Sequence, residues 1–196
     1  MLEISFMQVF VLISISWILI RSLIVYKNKH IGWKREFILL NVYVCIVMIS
    51  RIVYFPYHYV NGHIGVLRFD FNRIFPLQIN IKPLTFVYER YIGWQRNIFG
   101  NIAMFIPVGI CWPMCFKQLN RVKKVVVAGF WYSLMIEISQ LFFYERYSDI
   151  DDLILNTIGV FIGAMIYFLI DRVVKNPKCK KSMVANIQDI NGKITP

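Results

Sequence analysis

The chain has 196 residues, 58% of them hydrophobic and only 17% charged, yet it carries a formal net charge of +11. So apolar a composition excludes an ordinary soluble domain and points to an integral membrane protein held in the lipid bilayer. The basic excess lies in short stretches between apolar segments, the pattern of membrane topology, and no nucleic-acid motif accompanies it.

Five stretches approach the roughly 20 apolar residues that a crossing requires. The first, Phe6 to Val25, has no basic leader and no small-residue cleavage site, so it reads as an anchor rather than a signal peptide. A loop with Lys27, Lys29, Lys34 and Arg35 leads to the second, Phe37 to Phe55. The third, Ile98 to Phe116, contains Pro107, which removes a backbone bond and is expected to kink the helix, and Gly109, which admits a close neighbour. Lys117, Arg121, Lys123 and Lys124 precede the fourth, Val125 to Phe143, and the fifth runs from Leu153 to Ile170. The organisation is thus two helices in 1–55, a long aromatic loop in 56–97, a three-helix core in 98–170 and a basic tail in 171–196. The expected fold is all-α, a multi-pass transmembrane helical bundle.

With five crossings, Arg21, both basic loops and the tail share one side. That side holds 15 of the 22 Lys and Arg and 3 of the 11 Asp and Glu, which leaves 7 bases and 8 acids opposite. The positive-inside rule then puts the N-terminus outside and the C-terminus inside. Cys45, Cys111 and Cys115 fall in apolar segments and Cys179 in the tail, so no disulfide framework is expected. Cys111 and Cys115 share a helix face and are read as small apolar residues rather than a metal or redox pair.

Polar side chains gather toward the outer side. A charge at the centre of a membrane helix costs roughly 2.5–3.5 kcal/mol, so such groups face the bundle interior or a wet cavity. Arg51 lies near the end of the second span; Arg96, Asn97 and Asn101 open the third; Glu137 and Gln140 lie on the fourth. Glu145, Arg146, Asp149, Asp151 and Asp152 fill the next loop, and Asn156 lies on the fifth span. Asn97 and Asn101 are four apart, Glu137 and Gln140 three apart, and Asp149, Asp152 and Asn156 follow helical spacing, so each set shares a face. Gly159 and Gly163 continue the face of Asn156 as a G-x-x-x-G, which marks it as packed inward. Glu137 must be paired or neutral. Arg51 or Arg146 could fix it in a structural ion pair; alternatively Glu137 belongs to a functional site. Asp149 or Asp151 is a natural N-cap of the fifth helix. Asp151 is read as only that, Asp149 and Asp152 as part of the cluster.

The order of motifs carries a resemblance. "N-x3-FIP-x-G" (Asn101 to Gly109) precedes "E-x-x-Q" (Glu137 to Gln140) and then "R-x-x-D-x-x-D-x3-N-T-x-G-x3-G" (Arg146 to Gly163). This resembles the VanZ family of bacterial membrane proteins, over roughly Asn72 to Ile170, with "NRIFPLQ" (Asn72 to Gln78) similar to an asparagine-proline stretch of that family. The resemblance implies a multi-pass protein of the bacterial plasma membrane. It also implies a link to teicoplanin, a lipid-tailed glycopeptide antibiotic, since the founding member is associated with resistance to it more than to vancomycin. It brings no established reaction. The long loop, with "FPYHYVNG" and "FVYERYIGWQ", departs from the family. It reads as an interfacial segment, or as a lid over the cluster. His58 and His63 within it are too few for a metal site.

Four functions compete. The favoured one is protection of the envelope against a lipoglycopeptide, by binding, excluding or sequestering it. Its polar cluster would be Arg51, Asn101, Glu137, Gln140, Arg146, Asp149, Asp152 and Asn156. The alternative is an enzyme acting on a lipid-linked envelope precursor at the outer leaflet. Glu137 would then be a general acid or base, and Asp149 and Asp152 would hold a divalent ion on phosphate. No Ser-His-Asp set, glycine-rich phosphate loop or metal signature supports it, so no cofactor or metal is expected. A transporter lacks a visible inverted repeat. A partner subunit would use the cluster only for folding.

Overall fold

A computed structural model describes residues 2–29, 32–55, 59–60, 63–69, 78–88, 93–144 and 146–175. His58, Arg73, Arg90, Glu145, the stretch 72–77 and residues 176–196 with Cys179 lie outside them, as does the side chain of His63.

Strand β1 (Leu2–Ile4) leads into helix α1 (Phe6–Asn28). Ser5 and Gln8 form a capping box at its start: Gln8 Oε1 accepts the Ser5 N–H at 2.8 Å and the Ser5 hydroxyl accepts the Gln8 N–H at 3.4 Å. Helix α2 spans Trp33–Tyr54. Short strands β2 (Tyr59–Val60), β3 (His63–Ile64), β4 (Leu67–Phe69) and β5 (Ile79–Asn80) follow, with a single turn of helix, α3 (Thr85–Tyr88). Helices α4 (Trp94–Cys115) and α5 (Val122–Gln140) come next, then β6 (Phe143–Tyr144), β7 (Ser148–Asp149) and helix α6 (Ile150–Lys175).

The protein is therefore mostly helical, as expected, with one addition. The long loop contains strands, and these are tied to the rest of the chain. β4 pairs antiparallel with both β1 and β6, Glu3 opposes Arg68, and Arg68 Nε lies 3.4 Å from Glu3 Oε1. β5 runs parallel to β7, and β2 and β3 form a separate antiparallel pair. The start of the chain, the long loop and the α5–α6 connection thus meet at one end of the bundle.

Among the described residues, α1, α2, α4 and α6 are long and apolar enough to cross a membrane. The sequence expectation adds α5 as a fifth span; its 19 residues include Lys123, Lys124 and Glu137. All five long helices extend past their apolar stretches into polar turns, such as Gln95–Asn97 at the start of α4, Lys123–Lys124 at the start of α5 and Asp171–Lys175 at the end of α6. Backbone hydrogen bonding does not stop where hydropathy does. The fourth stretch is shorter than expected at its far end: α5 stops at Gln140, and Phe143 enters β6.

The tightest packing joins α4 to α6 and explains their glycines. A Cβ on Gly109 would run into the Val160 carbonyl and the Ala164 nitrogen; one on Gly159 would meet the Ile102 carbonyl, and one on Gly163 the Ile106 carbonyl. The G-x-x-x-G face is thus packed inward, backbone against backbone. α4 continues through Pro107 and Pro113. Around this contact the core gathers Cys45, Ile49, Phe105, Val108, Val125, Ile136, Val160 and Ala164. Cys45 meets Cys111 across the α2–α4 contact as a buried small residue.

Helix α1 buries none of its residues. Leu12 and Leu23 are about two-thirds exposed, at 65% and 67%, which costs nothing where the surroundings are lipid. α1 is held to α2 by the Ser14 and Tyr43 hydroxyls at 2.8 Å, by the Trp17 and Tyr43 rings, and by an Arg21–Glu36 ion pair.

Candidate functional site

The polar residues of α4, α5 and α6 meet at the end of the bundle that carries the strands. Ser133, Glu137 and Gln140 lie on one face of α5, at spacings of four and three. All three are buried against neighbouring helices. At 1.5 Å per residue this polar stripe reaches about 10 Å along the helix.

Glu137 is 4% exposed. Its Oε2 accepts the backbone N–H of Asp149 at 3.0 Å, beside the side chain of Ser148. The expected partner was an arginine, yet no described ion pair joins Glu137 to Arg51 or Arg146. Both arginines turn to the last carbonyls of α2: Arg51 Nη1 donates to Phe55 O at 3.3 Å and Arg146 Nη2 to Tyr54 O at 2.6 Å. The guanidinium of Arg51 also lies 5.7 Å over the Phe6 ring. A helix C-terminus, with its unmatched carbonyls and partial negative charge, draws cations in this way. The arginines thus border the cluster and fix the end of α2.

The three aspartates divide the work differently from expectation. Asp149 is the cap of α6: its Oδ1 accepts the Asp151 N–H at 2.9 Å, while Oδ2 accepts Asn80 Nδ2 at 3.1 Å. Asp149 belongs to β7, so it caps the helical face of Asp152 and Asn156 rather than joining it. Asp151 does not cap its own helix. It is 2% exposed, and its carboxylate accepts the N–H groups of Leu84 and Thr85 at 2.5 and 2.8 Å, together with the Thr85 hydroxyl. Leu84 has a φ of 63°, a left-handed conformation costly for leucine, and the Asp151 anchor holds it there. Asp152 faces α4, where its Oδ1 accepts Asn101 Nδ2 at 2.5 Å and Asn97 Nδ2 at 3.4 Å. Asn101 also donates to Asn97 Oδ1 at 3.1 Å.

Deeper in the bundle, Asn156 Nδ2 donates to Ser133 Oγ at 2.9 Å, a fully buried link from α6 to α5. Asn156 Oδ1 and Gln140 Oε1 are buried acceptors with no hydrogen-bond partner. Asn101, Glu137, Asp149, Asp152 and Asn156 are therefore brought together; Gln140 lies one turn above Glu137. Sequence reasoning did not single out Ser133, Ser148 or Asn80. Ser133 carried a signal, its four-residue spacing from Glu137. Asn80 carried none, because it arrives by β5–β7 pairing.

Chemically, the site offers carboxylate and amide oxygens from three helices. Its described donors are asparagine amides, the Thr85 hydroxyl and backbone N–H groups. Among the described residues, no group of three His, Cys, Asp or Glu could hold a metal ion. What remains is a buried cluster rich in acceptors, of which Asn156 Oδ1 and Gln140 Oε1 have no partner.

The family comparison covers this whole assembly. A model of the family described as VanZ/LLP1 matches residues 39–171, from the second turn of α2 to Asp171, four residues before the end of α6. Protein VanZ of Enterococcus faecium is 30% identical over 122 residues, which cover 57% of this chain and 73% of that protein. No solved structure matches the chain. The match spans every helix that contributes to the polar cluster, and the chain belongs to the VanZ/LLP1 family.

Proposed function

We propose that this protein protects the bacterial plasma membrane against lipoglycopeptides such as teicoplanin, using the polar cluster at its outer end. The observation that carries this reading is the convergence of Asn101 on α4, Glu137 on α5, Asp149 on β7 and Asp152 on α6. A glycopeptide presents hydroxyl, amide N–H and amine donors, and its lipid tail keeps it in the outer leaflet. An acceptor-rich site at that leaflet would engage the donors while the surrounding apolar faces accommodate the tail. The family membership supports the same reading.

The topology behind it has five crossings, with α5 as the fourth, the N-terminus outside and the C-terminus inside. The β1–β4–β6 sheet supports this, since it joins the start of α1 to the far end of α5. So does the placement of Lys27, Lys29, Lys34 and Arg35 at one end of the bundle and of Asp149, Asp151 and Asp152 at the other.

The test is drug susceptibility in a Gram-positive host without related genes. Expression of the chain is expected to raise tolerance to teicoplanin more than to vancomycin. No change with either drug would sink the reading.

A second reading is an enzyme acting on a lipid-linked envelope precursor. It is favoured by Glu137, a buried carboxylate outside every described ion pair. Turnover of such a substrate by the purified protein, lost in Glu137→Gln, would establish it in place of the first.

A further inference from the structure

Two adjoining cavities lie between α1 and α2, at the end of the bundle opposite the polar cluster. The first, about 280 Å³, is lined by Arg21, Asn28, Gly32, Arg35 and Glu36, with Ile24 and Val25 on its wall. The second, about 890 Å³, shares Arg21 and Glu36 and is otherwise mostly apolar, with Trp17, Ile18, Trp33, Phe37 and Leu40. It opens sideways: Trp33 is 77% exposed and Phe37 73%. Charge and apolarity are therefore arranged in sequence, a basic pocket followed by a hydrophobic trough along the helices.

The charges within this region are not equivalent. Arg21 is engaged by Glu36, so the two nearly cancel and act as the floor between the cavities. The side chains of Lys34 and Arg35 make no described hydrogen bond or ion pair, and both are exposed. The local surplus is thus positive and available. Apart from Leu40, the lining residues precede the family match, which begins at residue 39, so the family's shared site does not account for them.

We infer that these two cavities form one binding site for an anionic phospholipid. Its phosphate sits against Arg35 in the first cavity, with Lys34 on the wall of the second, and its acyl chain lies in the trough between Trp17 and Phe37. Two features exclude simpler occupants. A free phosphate would leave the trough unused, and a zwitterionic lipid would bring an ammonium group up to Lys34 and Arg35. Because α1 buries no residue of its own, such a lipid would also act as mortar between α1 and α2.

Bromine-quenched tryptophan fluorescence tests this. Trp94, Trp112 and Trp131 are replaced by Phe in the full chain, leaving Trp17 and Trp33 as reporters. The protein is placed in nanodiscs of phosphatidylcholine containing a minor fraction of brominated phosphatidylglycerol or, separately, brominated phosphatidylcholine. Quenching is expected at lower mole fraction with the anionic lipid. Arg35→Gln should cut that preference about fivefold, the effect of one basic residue at a membrane surface, and Arg35→Lys should retain most of it. Lys27→Gln is the control for general surface charge, since Lys27 lines neither cavity. Equal quenching by the two lipids would overturn the inference. So would an equal loss in Lys27→Gln and Arg35→Gln, or relief of quenching by inorganic phosphate alone.

Discussion

Glu137 Oε2 accepts the backbone N–H of Asp149 at 3.0 Å, so the buried acid of α5 holds the residue that caps α6. One carboxylate thereby fixes the angle at which two helices leave their connection. Glu137→Gln keeps an acceptor oxygen and should fold with little loss. Glu137→Leu leaves a buried N–H unmatched and should destabilise by about 1–3 kcal/mol. Thermal unfolding in detergent, followed by tryptophan fluorescence, separates the two. Equal stability of both variants would show that the bond contributes nothing.

The α4–α6 contact should tolerate no side chain at its centre. Gly163→Leu would drive a side chain into the Ile106 carbonyl, backbone that has nowhere to move. Size-exclusion chromatography should show loss of monodisperse protein. Gly100→Ala, with nothing within 4 Å of its Cβ, should elute as wild type.

Gly129 meets a side chain instead of backbone. Its Cβ would lie 2.6 Å from both terminal carbons of Val160. Gly129→Ala should therefore destabilise the protein, and Val160→Ala in the same chain should restore part of the loss. A favourable coupling of about 0.5–3 kcal/mol is expected in a double-mutant cycle, measured by unfolding. Simple additivity would contradict the packing.

Asp151 anchors the segment before α4. Asp151→Ala frees the Leu84 and Thr85 N–H groups and should release the backbone around Lys82, which is exposed. Limited chymotrypsin digestion is expected to cleave after Leu84, which is 41% exposed, faster in this variant than in wild type. Unchanged cleavage would show that the segment is held by other means.

Much of this architecture was legible from residue patterns. The G-x-x-x-G of Gly159 and Gly163 foretold the inward face of α6, because only close backbone approach selects for the absence of two side chains one turn apart. The spacing of Asn97 and Asn101, and of Asp152 and Asn156, likewise placed them on shared faces. Asp151 and Arg146 were misread because their partners come from far along the chain, and Arg51 because its partner is a backbone carbonyl. Asp151 looked like a local helix cap, since carboxylates at helix starts usually are, yet it reaches residues 84 and 85. Arg51 and Arg146 looked like counter-ions for Glu137 by charge alone, but the carbonyls at the end of α2 hold them. The strands of the long loop were hidden for a different reason: two- and three-residue strands have too short a pattern to show alternation, and β4 and β5 pair with strands far along the chain.

The most direct test of the central claim compares Glu137→Gln and Asp152→Asn with wild type for teicoplanin tolerance in the same Gram-positive host, with membrane levels equalised by blot. Both substitutions keep size and an acceptor oxygen while removing a charge. The account predicts that both variants reach the membrane in wild-type amounts and lose most of the tolerance. Full tolerance in both variants would contradict it and leave the cluster a structural device.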